Sequence, residues 1–337
     1  MNSPSSHCAI AYHQFGEPSE VLTLTQATKL VLAPDQIRVK MLLSSINPSD
    51  LITIRGIYKE RMALPRVVGY EGVGIVVERG ANVNFPPMGS RVLALRGEGT
   101  WQEYVVVSAT EAVLVPNEID DQTAAQLYIN PLTAWTMLQD EIRYHQGSTI
   151  AMNAAGSAFC RVFILFAKLF GYEIIAIVRN NFYTERLLKA GVKEVIDSST
   201  TNVEEAVLDL TNGQGVAAVL DAIGGEEGDG LAKCVQNGGK MLHYGLLSEK
   251  ALSMQTYHAQ LKRGLKIVPY RLRDWVYKHD ISYRQQVFSA MMEALINACF
   301  SLPVEREYPL EQIFEAVRTS EESRRSGKIL LKCSSLK

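Results

Sequence analysis

TIAMNAAGSAFCRVFILFAKLFGYEIIAIVRNN, residues 149–181, is the stretch whose reading decides the fold. It opens with a short apolar run (149–153) and turns through Ala154, Ala155, Gly156 and Ser157. A segment with Phe, Ile and Leu on most faces (158–170) follows, and then a second apolar run (173–178). Four to six apolar residues bounded by small ones read as a buried strand, and the longer apolar segment reads as a helix. Strand, tight turn, helix and strand in this order form a right-handed crossover unit of a parallel sheet.

The alternation continues outward. Helical pattern is expected at 182–190, 203–210 and 230–236, and strand at 194–197, 216–222, 240–244 and 265–270. Six strands with helices between them predict a doubly wound parallel-sheet domain of the dinucleotide-binding kind. Upstream, a helix is expected over 124–138. Before that, β-rich runs at 37–45, 73–78, 91–95 and 104–107 lie between Gly, Pro and Asn clusters, as in a partly open antiparallel β-barrel. After residue 270 the pattern gives helices at 283–298 and 310–318 and a last strand at 327–331, expected to return to the first domain. The predicted organisation is therefore 1–122 for the β domain, 123–270 for the nucleotide domain and 271–337 for the returning segment.

Composition narrows the partners. The chain has 337 residues, 34 basic against 36 acidic, and no concentrated basic run. Neither nucleic acid nor an anionic membrane is an expected partner. Its five cysteines (Cys8, Cys160, Cys234, Cys299, Cys333) are dispersed, without a CxxC pair. That pattern suits reduced thiols in a cytoplasmic protein rather than a disulfide frame or a zinc cluster. The amino-terminal stretch lacks a charged start leading into an apolar run, so it does not read as a secretion signal. The longest apolar run is broken by Lys168 and too short to span a bilayer.

The turn at 153–160 carries the first functional reading. Small residues let backbone N–H groups approach a pyrophosphate, and a helix N-terminus favours its negative charge. Ala155, Gly156, Ser157, Ala158 and Phe159 are the expected contacts, although no GxGxxG occurs here. Directly after the second strand stands Arg179, where an acidic residue would grip the ribose of NAD. A guanidinium can pair with a 2′-phosphate through two donors, which selects NADPH.

Further motifs give the chain a family likeness. Ile46-Asn47-Pro48-Ser49-Asp50 with Arg55-Gly56-Ile57-Tyr58, Gly69-Tyr70-Glu71-Gly72-Val73-Gly74, Gly99-Thr100-Trp101, Asn130-Pro131-Leu132-Thr133-Ala134, Asp221-Ala222-Ile223-Gly224-Gly225 and Tyr244-Gly245 are its elements. Together they resemble the zinc-independent medium-chain dehydrogenase/reductases, in particular the 2-enoyl thioester reductase and quinone oxidoreductase branches. The resemblance implies a GroES-like catalytic domain beside the Rossmann domain. It implies cofactor contacts at Asn47, Thr133, Gly224, Tyr244, Gly245, Tyr270 and Lys328. Zinc-dependent relatives carry a cysteine and a histidine where this chain has Asn47–Asp50 and Tyr70-Glu71, so no tetrahedral zinc site is expected.

Without a Lewis acid, the natural chemistry is reduction of an activated C=C bond, with a hydrogen-bonded enolate and a proton donor. The resemblance places Tyr58 as that donor, and Asn47 as a catalytic contact or a loop-holding residue. A small molecule or a thioester on CoA or a carrier protein is the implied substrate. The alternatives are a quinone oxidoreductase, which needs no dedicated proton donor, and an NADPH-binding protein without catalysis. Cys160 and Ser157 stand where relatives carry glycine, and a packing role is expected for the thiol. An apolar edge strand at 265–270 predicts a homodimer.

Overall fold

Residues 6–95 and 99–334 are described by the structure, a computed structural model. The chain divides into two compact units, Met1–Ile129 with Asp280–Lys337, and Asn130–His279. The junctions lie a little later in the chain than the expected breaks after residues 122 and 270. Periodicity could not place the first, because the expected helix over 124–138 runs through it; the second falls between the helices Leu272–Lys278 and Ile281–Asn297.

The unit Asn130–His279 is built on six parallel strands. Across the sheet they run Glu194–Asp197, Glu173–Val178, Thr149–Met152, Val216–Asp221, Val235–His243, Lys266–Pro269. The order reverses beside Thr149–Met152, and ligands bind at the carboxyl ends of strands at such a switch point. The strands are near-continuous apolar runs because helices cover both faces. In Glu173–Val178 only the leading glutamate is exposed. Helix Ala158–Leu169 buries Phe159, Cys160, Val162, Phe163, Ile164, Phe166 and Ala167. Ser157 caps it, its Oγ accepting from the Cys160 N–H at 3.3 Å.

Three expectations for this unit change. The helix expected over 124–138 is interrupted: Asp121–Ala124 ends in the first unit, and a new helix starts at Asn130 and passes at Met137 into a wider turn. Pro131 lacks an N–H and clashes with the preceding turn, so it fits only at a helix start. The helix expected at 230–236 lies at Gly225–Lys233, and the following strand already begins at Val235. Glu226 and Glu227 in its first turn favour that start, since carboxylates complement the helix dipole there. A helix at Met254–Arg263 had not been expected. Met254, Tyr257 and Leu261 are exposed, so no buried apolar stripe marks it.

In the other unit, Leu22–Thr28, Ser6–Tyr12 and Arg66–Val67 make a small antiparallel sheet. A larger sheet runs Val304–Pro309, Lys328–Lys332, Gln36–Ser45, Gly72–Arg79, Arg91–Ala94, Ala112–Leu114, with Tyr104–Ser108 also on Gln36–Ser45. Lys328–Lys332 pairs antiparallel with Gln36–Ser45, so a late strand joins the sheet built by residues 36–114. Ile10, Tyr12, Val39, Met41, Trp101 and Ile329 lie in the core between these sheets. Trp101 is wholly buried there, its Nε1 donating to the Ser45 carbonyl at 3.1 Å. Among the described residues no helix is long and apolar enough to cross a membrane.

Candidate active site

Each unit carries its own cluster of chemically capable side chains. In the β unit the cluster is organised by Asn47. Its extended backbone, Pro48 at the first helical position and Asp50 two residues on make a capped start for helix Pro48–Ile54. The Asn47 N–H donates to Asp50 Oδ2 at 2.8 Å. Its side-chain amide donates to Ser45 Oγ at 2.8 Å and Glu71 Oε1 at 2.7 Å. The Ser45 hydroxyl donates to the same Glu71 oxygen, while Glu71 Oε2 accepts from the Ile129 N–H at 2.7 Å. Lys328 Nζ donates to the Ile46 carbonyl at 3.1 Å and to Asn47 Oδ1. Ser45, Asn47, Asp50, Glu71 and Lys328 are all buried.

Burial shifts the protonation of Asp50 and Lys328. Asp50 is pushed up to about 7, first by burial, with the Glu71 charge adding and the Asn47 N–H opposing. Its Oδ1 has no hydrogen-bond partner. Lys328 is pushed down to about 8 by burial, against the pull of Glu71 and Asp50. Tyr58 is different: it heads the short turn Lys59–Arg61 and is 39% exposed.

In the nucleotide unit the turn after the first strand is free of bulk. Ala154 takes φ 48°, and the Ala155 N–H donates to the Ile177 carbonyl at 3.1 Å, tying the turn to the second strand. A Cβ on Gly156 would stand 2.4 Å from the Tyr183 ring, so only glycine fits there. A turn of small residues at the start of a 12-residue helix suits a pyrophosphate.

Beneath the turn lies a polar network. Asn153 Nδ2 donates to Asp221 Oδ1 at 2.6 Å, and the Ala222 N–H returns to Asn153 Oδ1 at 2.8 Å. His243 Nδ1 stands 2.7 Å from Asp221 Oδ2. The Ile223 and Gly224 N–H groups donate to Asp221 as well. Burial alone would raise the Asp221 pKa, but these donors outweigh it and hold the carboxylate below its ordinary range. One carboxylate thereby ties the carboxyl ends of the first, fourth and fifth strands.

Tyr244 packs against Phe159 with the rings tilted and their centres 4.5 Å apart, and burial raises its phenol pKa. Gly245 must be glycine, because a Cβ would meet the Ala222 carbonyl oxygen at 2.5 Å. Tyr270 Oη meets Thr136 Oγ1 at 2.5 Å, and its N–H donates to the His243 carbonyl at 2.8 Å. Thr133 is buried on the helix Asn130–Thr136, and Arg179 is exposed directly after the second strand. Cys160 is buried and pushed up to about 12 by desolvation, so its thiol is not ionised at neutral pH.

The structure thus brings Ala155–Phe159, Gly224, Tyr244 and Gly245 to the carboxyl edge of one sheet. It joins Asn47 to Lys328 in the other unit. Asp50, Glu71, Asn153 and Asp221 stood within quoted stretches without a role, and Ser45, Tyr183, Arg186 and His243 were given none either. A polar residue closing an otherwise apolar strand, as Asp221 and His243 do, was the available signal.

A small-residue turn on a doubly wound sheet, together with an antiparallel β unit that the late strand Lys328–Lys332 joins, is the arrangement of the alcohol dehydrogenase class of two-unit oxidoreductases. Residues 33–117 match the family described as Alcohol dehydrogenase GroES-like domain, and residues 162–294 the family described as Zinc-binding dehydrogenase. The mitochondrial enoyl-[acyl-carrier-protein] reductase of Arabidopsis thaliana is 32% identical over 82% of this chain and 74% of that protein. A Bacillus thuringiensis structure assigned as an NADPH:quinone reductase is 38% identical, covering 97% of this chain and 99% of its own with a TM-score of 0.93. Escherichia coli quinone oxidoreductase, complexed with NADPH, shares the fold at 23% identity and TM-score 0.88, over 96% and 99% of the two chains. The chain belongs to the medium-chain dehydrogenase/reductase superfamily, on its zinc-independent side.

The donor set agrees with that placement. Glu71 spends its oxygens on Ser45, Asn47 and Ile129, and an ammonium shares the cluster. A zinc ion there would face Lys328 with neither thiolate nor imidazole to hold it. Among the described residues no three His, Cys, Asp or Glu side chains stand together as ligands.

Proposed function

We propose that this protein reduces an activated carbon–carbon double bond, of a 2-enoyl thioester or an enone, at the expense of NADPH. Two observations carry the reading: a small-residue turn at the start of the helix Ala158–Leu169 in one unit, and, in the other, a buried cluster whose groups fit hydrogen bonds but not zinc. Such a site suits acceptors already polarised by a carbonyl. NADPH, when bound, supplies the hydride that such a bond takes up at its β-carbon. Ala155, Gly156, Ser157, Ala158 and Phe159 would hold its pyrophosphate and Arg179 its 2′-phosphate. Gly224, Tyr244, Gly245, Thr133 and Tyr270 would line its remaining length. Tyr58 donates the proton that completes the product. Asn47, its amide spent on Ser45, Glu71 and Lys328, is assigned the loop-holding role, with Lys328 as the group that fixes it.

NADPH oxidation followed with crotonyl-CoA, a simple enone and a small quinone tests this. Tyr58→Phe is expected to lower kcat on crotonyl-CoA by about 10²–10⁴-fold, the usual worth of a positioned acid. Full turnover by the variant removes Tyr58 as donor. Quinone reduction is the second reading, favoured by the exposure of Tyr58 and by the 38% identical neighbour assigned to that activity. Turnover of the quinone alone, indifferent to Tyr58→Phe, would establish it, and no oxidation with any acceptor would leave a binding protein.

A thioester substrate could arrive on CoA or on a carrier protein. The edge strand Lys266–Pro269 is suited to pair with a second copy, and a purely monomeric sedimentation profile would reject the dimer. Five unpaired cysteines suit a cytoplasmic location, which cell fractionation checks.

A further inference from the structure

Beside the small-residue turn stands a guanidinium with two unpartnered donors. The Arg186 guanidinium lies over the Tyr183 ring, 4.7 Å from its centre. That ring packs against Gly156, within the turn itself. Nε and Nη2 of Arg186 are shut from solvent and have no hydrogen-bond partner. The neighbouring side chains do not supply one. Glu185 on the same helix is bound to Lys189 at 2.6 Å. Asn180 spends its side-chain oxygen on the Phe182 N–H at 3.1 Å.

Two desolvated guanidinium donors left without acceptors cost free energy, and no hydrogen bond among the described residues offsets it. An Arg fork with free donors is a site for a carboxylate or phosphate, which it can bind through two parallel hydrogen bonds. Arg186 stands on the helix Thr184–Ala190, which follows the second strand and Arg179, and the adenosine ribose of a dinucleotide lies at the end of that strand. We propose that Arg186, braced on Tyr183, is a specificity-determining residue that binds the 2′-phosphate of NADPH together with Arg179. The assignment rests on the NADPH reading above. Burial with no facing carboxylate also lowers the Arg186 pKa, as expected of a cation whose counter-ion is a ligand.

The division of labour is physical. Arg179 is exposed and screened by salt, so it draws the anion in and contributes modestly once bound. Arg186 is half-buried, already stacked and short of acceptors, so it loses little entropy on binding and gains the full charge-assisted bonds. Arg186, more than Arg179, then sets the preference for NADPH over NADH.

Calorimetric titration of the full chain with 2′,5′-ADP and 5′-ADP separates the possibilities. Wild type is expected to prefer 2′,5′-ADP. Arg186→Gln should weaken 2′,5′-ADP about tenfold to a hundredfold and leave 5′-ADP nearly unchanged, the size of a lost hydrogen bond to a charged group. Arg186→Met, which keeps the stem on Tyr183, should do the same and serves if the Gln variant folds poorly. Arg179→Gln should cost less than either. An unchanged ratio of the two affinities in both Arg186 variants, with the ratio collapsing in Arg179→Gln, overturns the inference and leaves the NADPH reading standing. Equal binding of both nucleotides by wild type overturns the NADPH reading itself.

Discussion

Asp50 and Asp221 are both buried carboxylates, one in each unit, and burial raises the pKa of each, yet Asp50 ends above its ordinary value and Asp221 below it. Asp221 is reached by Asn153, His243 and the backbone N–H groups of Ile223 and Gly224, and it stays ionised. Asp50 takes the Asn47 N–H on one oxygen, leaves the other unpartnered and sits near a second carboxylate, Glu71. Equal loss of water therefore yields a fixed charge in one case and a group poised near neutrality in the other. What decides is the number of donors aimed at the carboxylate. The nucleotide unit uses its charge to clamp loops. The β unit keeps a proton and an ammonium whose charges respond to solution pH.

The largest effect should come from removing the clamp. Asp221→Ala leaves Asn153, His243 and two backbone N–H groups without their acceptor in the interior. A loss of about 3–5 kcal/mol in urea unfolding is expected, as for a buried charged network broken from one side. Asp50→Ala should cost clearly less. Equal losses would mean that donor count is not what separates the two sites.

A smaller, pH-shaped effect belongs to Asp50. Its folded pKa, about 7, lies above its ordinary value of 3.8, so its contribution to stability is complete below about pH 4 and disappears as pH rises through about 7. Wild type should lose stability across that window with a slope of at most about 1.4 kcal/mol per pH unit from this group. Asp50→Asn, which can still accept the Asn47 N–H, should flatten the slope and be the more stable protein at pH 8. Lys328 acts in the next window: pushed from 10.5 to about 8, it returns stability as pH rises from about 8 toward 10.5. Denaturation midpoints of the two proteins from pH 4 to 8 check this, and parallel curves would contradict it.

These two sites also mark how far the sequence could be read. The parallel sheet was legible because strands such as Glu173–Val178 are buried on both faces and must be apolar. The helix Met254–Arg263 was not, since a helix with exposed Met254 and Leu261 leaves no periodic trace. The phosphate turn could be found locally, because its residues are contiguous. The β-unit cluster could not, because it joins Asn47 to Lys328 across 281 positions and depends on the last strand closing onto Gln36–Ser45. Arg186 lay one helical turn beyond the stretch where a phosphate ligand was sought. Its importance comes from atoms left without partners, which no pattern of residue types displays.

The finest distinction lies within the clamp, between its charge and its geometry. His243 approaches Asp221 through Nδ1, a position that the amide nitrogen of asparagine can approximate. If Asp221 needs only a donor there, His243→Asn should stay within about 1 kcal/mol of wild type and bind nucleotide normally. His243→Ala should lose about 1–2 kcal/mol, and its nucleotide affinity should fall several-fold, because Gly224 and the turn at Asn153 share the same carboxylate. A purely structural side chain would change stability in both variants and affinity in neither. Loss of affinity in His243→Asn as well would show that the imidazole itself, rather than a hydrogen bond in its place, holds the loops in their binding arrangement.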